Sequence, residues 1–238
     1  MLTKIRVENN IPNTKIHPLL ELIITKDFTP NSIYFTNGSN IINNKWNYSY
    51  KFNGKEIIKL SNILHLPIYF YKNIMVWKSI ECFTQNNIYN ASQIRKYVVE
   101  ILKDSSSKNI TGIGGESYCY FYCLHKYNSY LFLTNNMYIE EDYHFNSNKY
   151  LEDRINYCEV IDYNKKIDYY RCGDIIINLA KLTYKVIDFL NNNNFTNIII
   201  INCHSVNRKR LELLKYKMSD FGHFNNVTVY IYKLDFTN

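Results

Sequence analysis

Four short stretches of the chain carry the side chains with the most chemical potential. Cys203 closes the apolar run Ile198-Ile199-Ile200-Ile201-Asn202 and is followed by His204 and Ser205. Cysteine reacts as its thiolate, and a helix N-terminus beginning near Val206 would lower its pKa, which are the surroundings of a nucleophile. The bland alternative is a strand-end cysteine that only packs. His204 reads as a loop histidine rather than as the base for that thiol. Gly112-x-Gly114-Gly115, after a strand and before a helix, is a turn at which backbone can approach a ligand, with a helix N-terminus favouring an anion or carboxylate. It lacks the full dinucleotide-binding spacing, and a plain tight turn uses the same residues. Asn178 ends a second apolar run, and Phe83-x-Gln85-x-Asn87 adds two amide side chains.

These residues need elements that bring them to one edge. From Asn90 onward helical and strand patterns alternate, the signature of a parallel sheet with crossover helices. Asn90 or Ser92 caps an expected helix running to Lys103, with Ile94, Val98, Val99, Ile101 and Leu102 as its buried stripe. Strands are expected at 109–113, 130–134, 158–162, 174–178 and 197–202, with a terminal strand at 227–234 able to pair antiparallel. Helices are expected at 116–127, 181–191 and 206–216. In an open α/β sheet, ligands sit beyond the carboxyl ends of the strands, where Asn178 and Cys203 fall.

All four prolines precede residue 68, so the chain changes character there. The N-terminal part reads as a helix over 18–26 followed by short strands. Alternating Trp46 to Phe52, the turn Asn53-Gly54 and the run Glu56 to Leu60 suggest a hairpin. Two more strands are expected at 67–70 and 74–77, and the expected domains are residues 1–80 and 81–238.

Composition narrows the class. Apolar residues make up 46% and charged residues 21% of the 238, enough to bury a full core without staples. Lysine and arginine outnumber acids 28 to 21, and the net charge of +7 favours an anionic partner such as RNA. The densest basic clusters, Arg208-Lys209-Arg210 and Lys215 with Lys217, equally suit a solvated helix face. The six cysteines lack paired zinc spacing, so core thiols and no metal are expected. No secretory segment and no run of eighteen apolar residues is seen, so an intracellular, reducing compartment and no membrane are expected. The wealth of Asn, Ile, Lys and Tyr points to an AT-rich genome, whether of a parasite, an organelle or a large DNA virus.

The order of these motifs resembles the catalytic domain of the RNA 5-methyluridine (uracil-C5) methyltransferases, over about residues 80 to 235. The resemblance implies an α/β fold, a Rossmann-like S-adenosylmethionine-dependent methyltransferase sheet, behind a small N-terminal α+β lobe. Carried over by position, Gln85, Gly112, Gly114, Gly115 and Asn135 would hold S-adenosylmethionine, Asn178 would lie in the reaction pocket, and Cys203 would attack C6 of uracil. The chain departs from the family at the acid of the first strand, here near Thr111, and at the ribose-holding acid, here Asn135. The aspartate-proline-proline-arginine loop reads Asn178-Leu179-Ala180-Lys181. The glutamate base falls at Thr228, with Asp220 and His223 the nearest substitutes in sequence. The implied function is RNA methylation. The alternatives are a catalytically silent methyltransferase-like subunit that binds RNA or a protein assembly, or an unrelated α/β protein with a coincident cysteine.

Overall fold

The computed structural model describes residues 4–6, 33–36, 50–52, 57–59, 65–79, 82, 88–151, 154–168, 172–202 and 208–234. The expected helix over 18–26, the turn Asn53-Gly54 and the motif Phe83-x-Gln85-x-Asn87 lie outside them, as do Cys203 and His204. The chain forms two compact units, Met1–Leu66 with Lys78–Phe83, and Pro67–Trp77 with Thr84–Asn238. It therefore passes between units three times, where the sequence suggested one boundary after residue 80.

In the first unit, β1 (Lys4–Arg6) pairs parallel with β2 (Ile33–Thr36), which pairs antiparallel with β3 (Tyr50–Phe52). β3 in turn pairs antiparallel with β4 (Ile57–Lys59), as the hairpin pattern predicts. β5 (His65–Tyr71) and β6 (Ile74–Ser79), which lie mostly in the second unit, form a two-stranded sheet.

The second unit is built on a seven-stranded sheet. Its strands are β7 (Asn109–Ile113), β8 (Ser129–Leu133), β9 (Ile155–Glu159), β10 (Asp174–Ile177), β11 (Asn197–Asn202), β12 (Tyr216–Phe224) and β13 (Val227–Leu234). The spatial order is β12-β13-β11-β10-β7-β8-β9. All neighbours from β9 to β11 are parallel, whereas β13 runs antiparallel to both β11 and β12. The chain leaves β7 toward β8 and β9, then returns to place β10 on the other side of β7. In open α/β sheets such a reversal marks the crevice where ligands sit, and the strand order puts it beyond the carboxyl ends of β7 and β10.

β10 and β11 are buried along their whole length, which is why they read as unbroken isoleucine runs. Ile175, Ile177, Ile198 and Ile200 share one core with Val186, Ile187, Phe189 and Leu190 of a helix that begins at Tyr184. The period of two in the strands selects which isoleucines face that helix.

Several elements differ from the sequence reading. The helix α1 (Ile88–Asp104) starts before Asn90, so neither Asn90 nor Ser92 is its cap, and Asn90 instead accepts a hydrogen bond from Asn225 at 2.8 Å. The segment after the glycine turn is a 3-10 helix, Ser117–Cys123, that ends at an extended Leu124. Its aromatic and β-restricted side chains are poor helix formers, and the tighter turn buries Tyr118, Tyr120, Phe121 and Tyr122 together. A helix that the sequence did not signal, α2 (Met137–Tyr150), begins at Asn136, whose side chain accepts from the amides of Tyr138 and Ile139. Its buried face includes Asp142, Asn146 and Ser147, so it lacks an apolar stripe.

Asn146 explains that polarity. Its amide donates to the carbonyl of Trp77 at 2.6 Å and accepts from the amide of Trp77 at 2.8 Å, so a side chain pairs with β6 as a strand would. β9 lies three residues earlier than expected. α3 (Tyr184–Asn191) starts later, capped by Thr183. Among the described residues, the expected helix over 206–216 is represented by α4 (Arg208–Leu211), and Tyr216 opens the edge strand β12. A register shift interrupts β12 between Met218 and Asp220. Among the described residues, no helix is long and apolar enough to cross a membrane.

Asp174 anchors the sheet at the end opposite the crevice. Fully buried, its carboxylate accepts from Ser105 Oγ at 2.8 Å, Asn197 Nδ2 at 2.6 Å and Tyr127 Oη at 2.7 Å. Burial and this carboxylate together push the Tyr127 hydroxyl well above its ordinary pKa. Asp174→Ala removes the acceptor shared by three donors and is expected to cost about 3 kcal/mol, lowering the melting temperature by roughly 6–12 °C. Asp174→Asn keeps one acceptor oxygen and should lose less; calorimetry on the two variants checks both values.

Candidate functional site

The crevice is framed by a turn that only glycine allows. Gly114 and Gly115 adopt φ of 64° and 46°. A Cβ on Gly115 would stand 2.7 Å from the carbonyl oxygen of Asn178, and one on Gly114 2.6 Å from a methyl of Leu179. Asn178 in turn donates its amide to Ile113 O at 2.9 Å, and Gly114 donates to Leu133 O at 3.1 Å. Two candidate site residues far apart in sequence, Gly115 and Asn178, thus touch at the point where the strand order reverses. Gly112 has a different job: a Cβ there would meet Phe121 and the Ser117 hydroxyl, each at 2.9 Å, so its missing side chain admits the 3-10 helix.

The turn leaves toward α1 through a buried ion pair. Glu116 follows Gly115 directly and lies 3.2 Å from Arg95, with side chains 6% and 8% exposed. Arg95 also donates to Phe70 O and stacks over the Phe70 ring at 4.3 Å. Burial opposes the charge on Arg95, but Glu116, by its charge and its hydrogen bond, acts with Tyr120 and Cys119 to leave the pKa above the ordinary value. The pair fixes the exit of the glycine turn, a role the sequence did not disclose because the two residues belong to different elements.

Along the rim, Asn135 is exposed, one residue beyond the buried Thr134 that follows β8. On the other side of the crevice, Asn202 at the end of β11 is in register with Thr228, and Thr228 with His223. The His223 ring nitrogen Nδ1 lies 3.0 Å from Thr228 Oγ1. Asp220, the other nearby ionisable group, instead accepts from Tyr97 Oη at 2.7 Å. Burial, joined by that carboxylate, raises the Tyr97 pKa. Thr228 and His223 stand at one end of a cavity of about 620 Å³ whose wall includes Tyr216, Phe221, Tyr230 and Tyr232.

The described cysteines do not offer a reactive thiolate. Burial pushes Cys123 and Cys158 up to about 12 and raises Cys172, while Cys82 and Cys119 are buried. Thr111, where the family places an acid, is fully buried within β7.

No known family model matches the sequence, and no curated protein does. Solved structures share its architecture. Pyrococcus abyssi tRNA (uracil-54, C5)-methyltransferase in complex with S-adenosyl-L-homocysteine is similar with a TM-score of 0.56 at 14% identity, over 96% of this chain and 54% of that one. Methanocaldococcus jannaschii Trm5 in complex with adenosine is similar with a TM-score of 0.61 at 11% identity, over 93% of this chain and 69% of that one. For M. jannaschii tRNA m1G37 methyltransferase the TM-score is 0.58 at 13% identity, over 90% of this chain and 66% of that one.

The fold is that of the Rossmann-like methyltransferases. The chain spans about half the length of the Pyrococcus structure. Within this fold the Gly114-Gly115 turn and Asn178 lie at the first and fourth strands of the parallel order. Gly115→Ala adds a side chain at positive φ against a main-chain oxygen and is expected to cost about 1–2 kcal/mol in denaturant unfolding. Exposed Ser106→Ala should stay within about 0.5 kcal/mol as the control.

Proposed function

We propose that this protein is an S-adenosylmethionine-dependent RNA methyltransferase that acts at uracil C5 with Cys203 as nucleophile. The observation that carries the reading is the crevice at the strand reversal, where the glycine turn closes against Asn178 on the sheet edge that binds ligands in such folds. The fold shared with tRNA-methylating enzymes and the net charge of +7 support an RNA substrate. The aromatic cavity beside Thr228 and His223 has faces on which an unpaired base can stack.

The residues fit the donor with one change of chemistry. The glycine turn lets main chain line the donor side, and the exposed Asn135 offers an amide, one donor group and one acceptor, in place of a carboxylate for the ribose. Gln85 completes the donor set, and the bound donor supplies an electrophilic methyl group. Cys203 Sγ adds to C6 of the uracil, and the electron pair of the C5–C6 double bond moves to C5. C5 would take the methyl group as the donor's S–CH3 bond breaks and S-adenosylhomocysteine leaves, after which a base would remove the C5 proton and the S–C6 bond would break to return the thiolate. His223, hydrogen-bonded to Thr228, is the proton acceptor in place of the missing glutamate.

Calorimetric titration with S-adenosylmethionine should give saturable one-to-one heat; its absence at millimolar donor would overturn the enzyme reading. With donor bound, RNA carrying 5-fluorouridine should form a covalent adduct, because fluorine at C5 blocks release. Cys203→Ala should abolish that adduct, whereas His223→Asn should keep it and slow turnover of normal RNA by roughly 10²-fold or more. An adduct that persists in Cys203→Ala removes Cys203 from the mechanism.

A further inference from the structure

Away from the crevice, at the opposite border of the sheet, three side chains of different chemistry converge. Glu140 and His144 stand one turn apart on α2, and Cys158 lies on the edge strand β9; a carboxylate oxygen, a ring nitrogen and the sulfur all fall within 4.8 Å of one another. His144 Nε2 is 3.9 Å from Glu140 Oε1, and the His144 side chain is 55% exposed, so the cluster is reached from solvent. β9 is two strands from the glycine turn, so the group shares no residue with the proposed reaction site.

From this convergence we propose that Glu140, His144 and Cys158 bind a transition-metal ion of the zinc class. A thiolate and an imidazole select zinc-like ions over magnesium or calcium, which take oxygen ligands. An i,i+4 pair on a helix presents two ligands on one face, and a strand packed beneath supplies the third. Three protein ligands leave the fourth tetrahedral position for water or an external ligand.

The surroundings suit a cation. The Glu140 carboxylate attracts a divalent ion, which displaces the Cys158 thiol proton to solvent as the S–metal bond forms. Glu159 is paired with Lys165, which leaves Glu140 to serve as ligand. A bound ion would tie the middle of α2 to the free edge of the sheet. The sequence hid this site because its ligands do not follow the paired-cysteine spacing of zinc modules.

Cobalt(II) titration of the metal-free full-length chain tests the site, with zinc competing. Binding should bring a near-ultraviolet thiolate-to-cobalt band and intense visible bands of tetrahedral cobalt, both removed by one equivalent of zinc. Cys158→Ala should lose the thiolate band, and His144→Ala, at an exposed position that folding tolerates, should bind at least about tenfold more weakly, the scale on which even outer partners of a metal ligand act. Cys203→Ala should leave the spectrum unchanged. Absence of the thiolate band in the parent protein would overturn the proposal, as would unaltered binding in His144→Ala.

Discussion

The sheet depends on one buried carboxylate. An ionised group excluded from water is tolerated only when donors surround it, and Asp174 draws its three from three separate places: the loop after α1, the segment before β8 and the start of β11. These are the segments that must meet for β10 to lie between β7 and β11. The apolar cores of those strands would accept other registers at modest cost, since isoleucine packs much like isoleucine. The carboxylate would not, because a shift of one residue turns it away from its donors. Burial drives the strands together, and Asp174 sets how they align.

That alignment shapes the opposite end. Once β10 is fixed beside β7, Asn178 arrives against the glycine turn, and main-chain groups rather than side chains form the contact. The turn is then held from outside by Arg95 and Glu116. A buried ion pair adds little net stability once desolvation is counted, but removing one partner strands the other. Its value here is positional, since the exit of the turn has one direction that satisfies both charges. The aromatic 3-10 helix that follows fills the space over Gly112, so the crevice has a rigid wall on that side.

The central strands were legible in the sequence to within a residue, because parallel strands buried on both faces are written as continuous apolar runs. The glycine turn and Asn178 were each visible, but not their contact, which depends on the register of β10. α2 was invisible because its buried face carries Asp142, Asn146 and Ser147, whose hydrogen bonds replace an apolar stripe. β12 carried no strand signal, because its exposed residues follow no alternation, and only Tyr216 fell within the expected helix over 206–216. Arg95 and Glu116 carry no signal of their pairing in the sequence, because they belong to different elements and only their shared burial brings them together. Of the two residues on which the proposed chemistry turns, Cys203 stood out by its place at the end of an apolar run, and Gln85 by the order of motifs.

The interruption in β12 bears on how the molecule behaves among its own copies. A border strand of nine residues offers a row of main-chain groups to any passing extended chain, and Met218 and Phe221 give that row apolar exposure. The irregularity between Met218 and Asp220 breaks the row into two short pieces with different twist, and Lys217 and Asp220 place charges beside the break. Each piece is shorter than the whole strand, so this flank offers an incoming chain a less continuous template than an unbroken edge would.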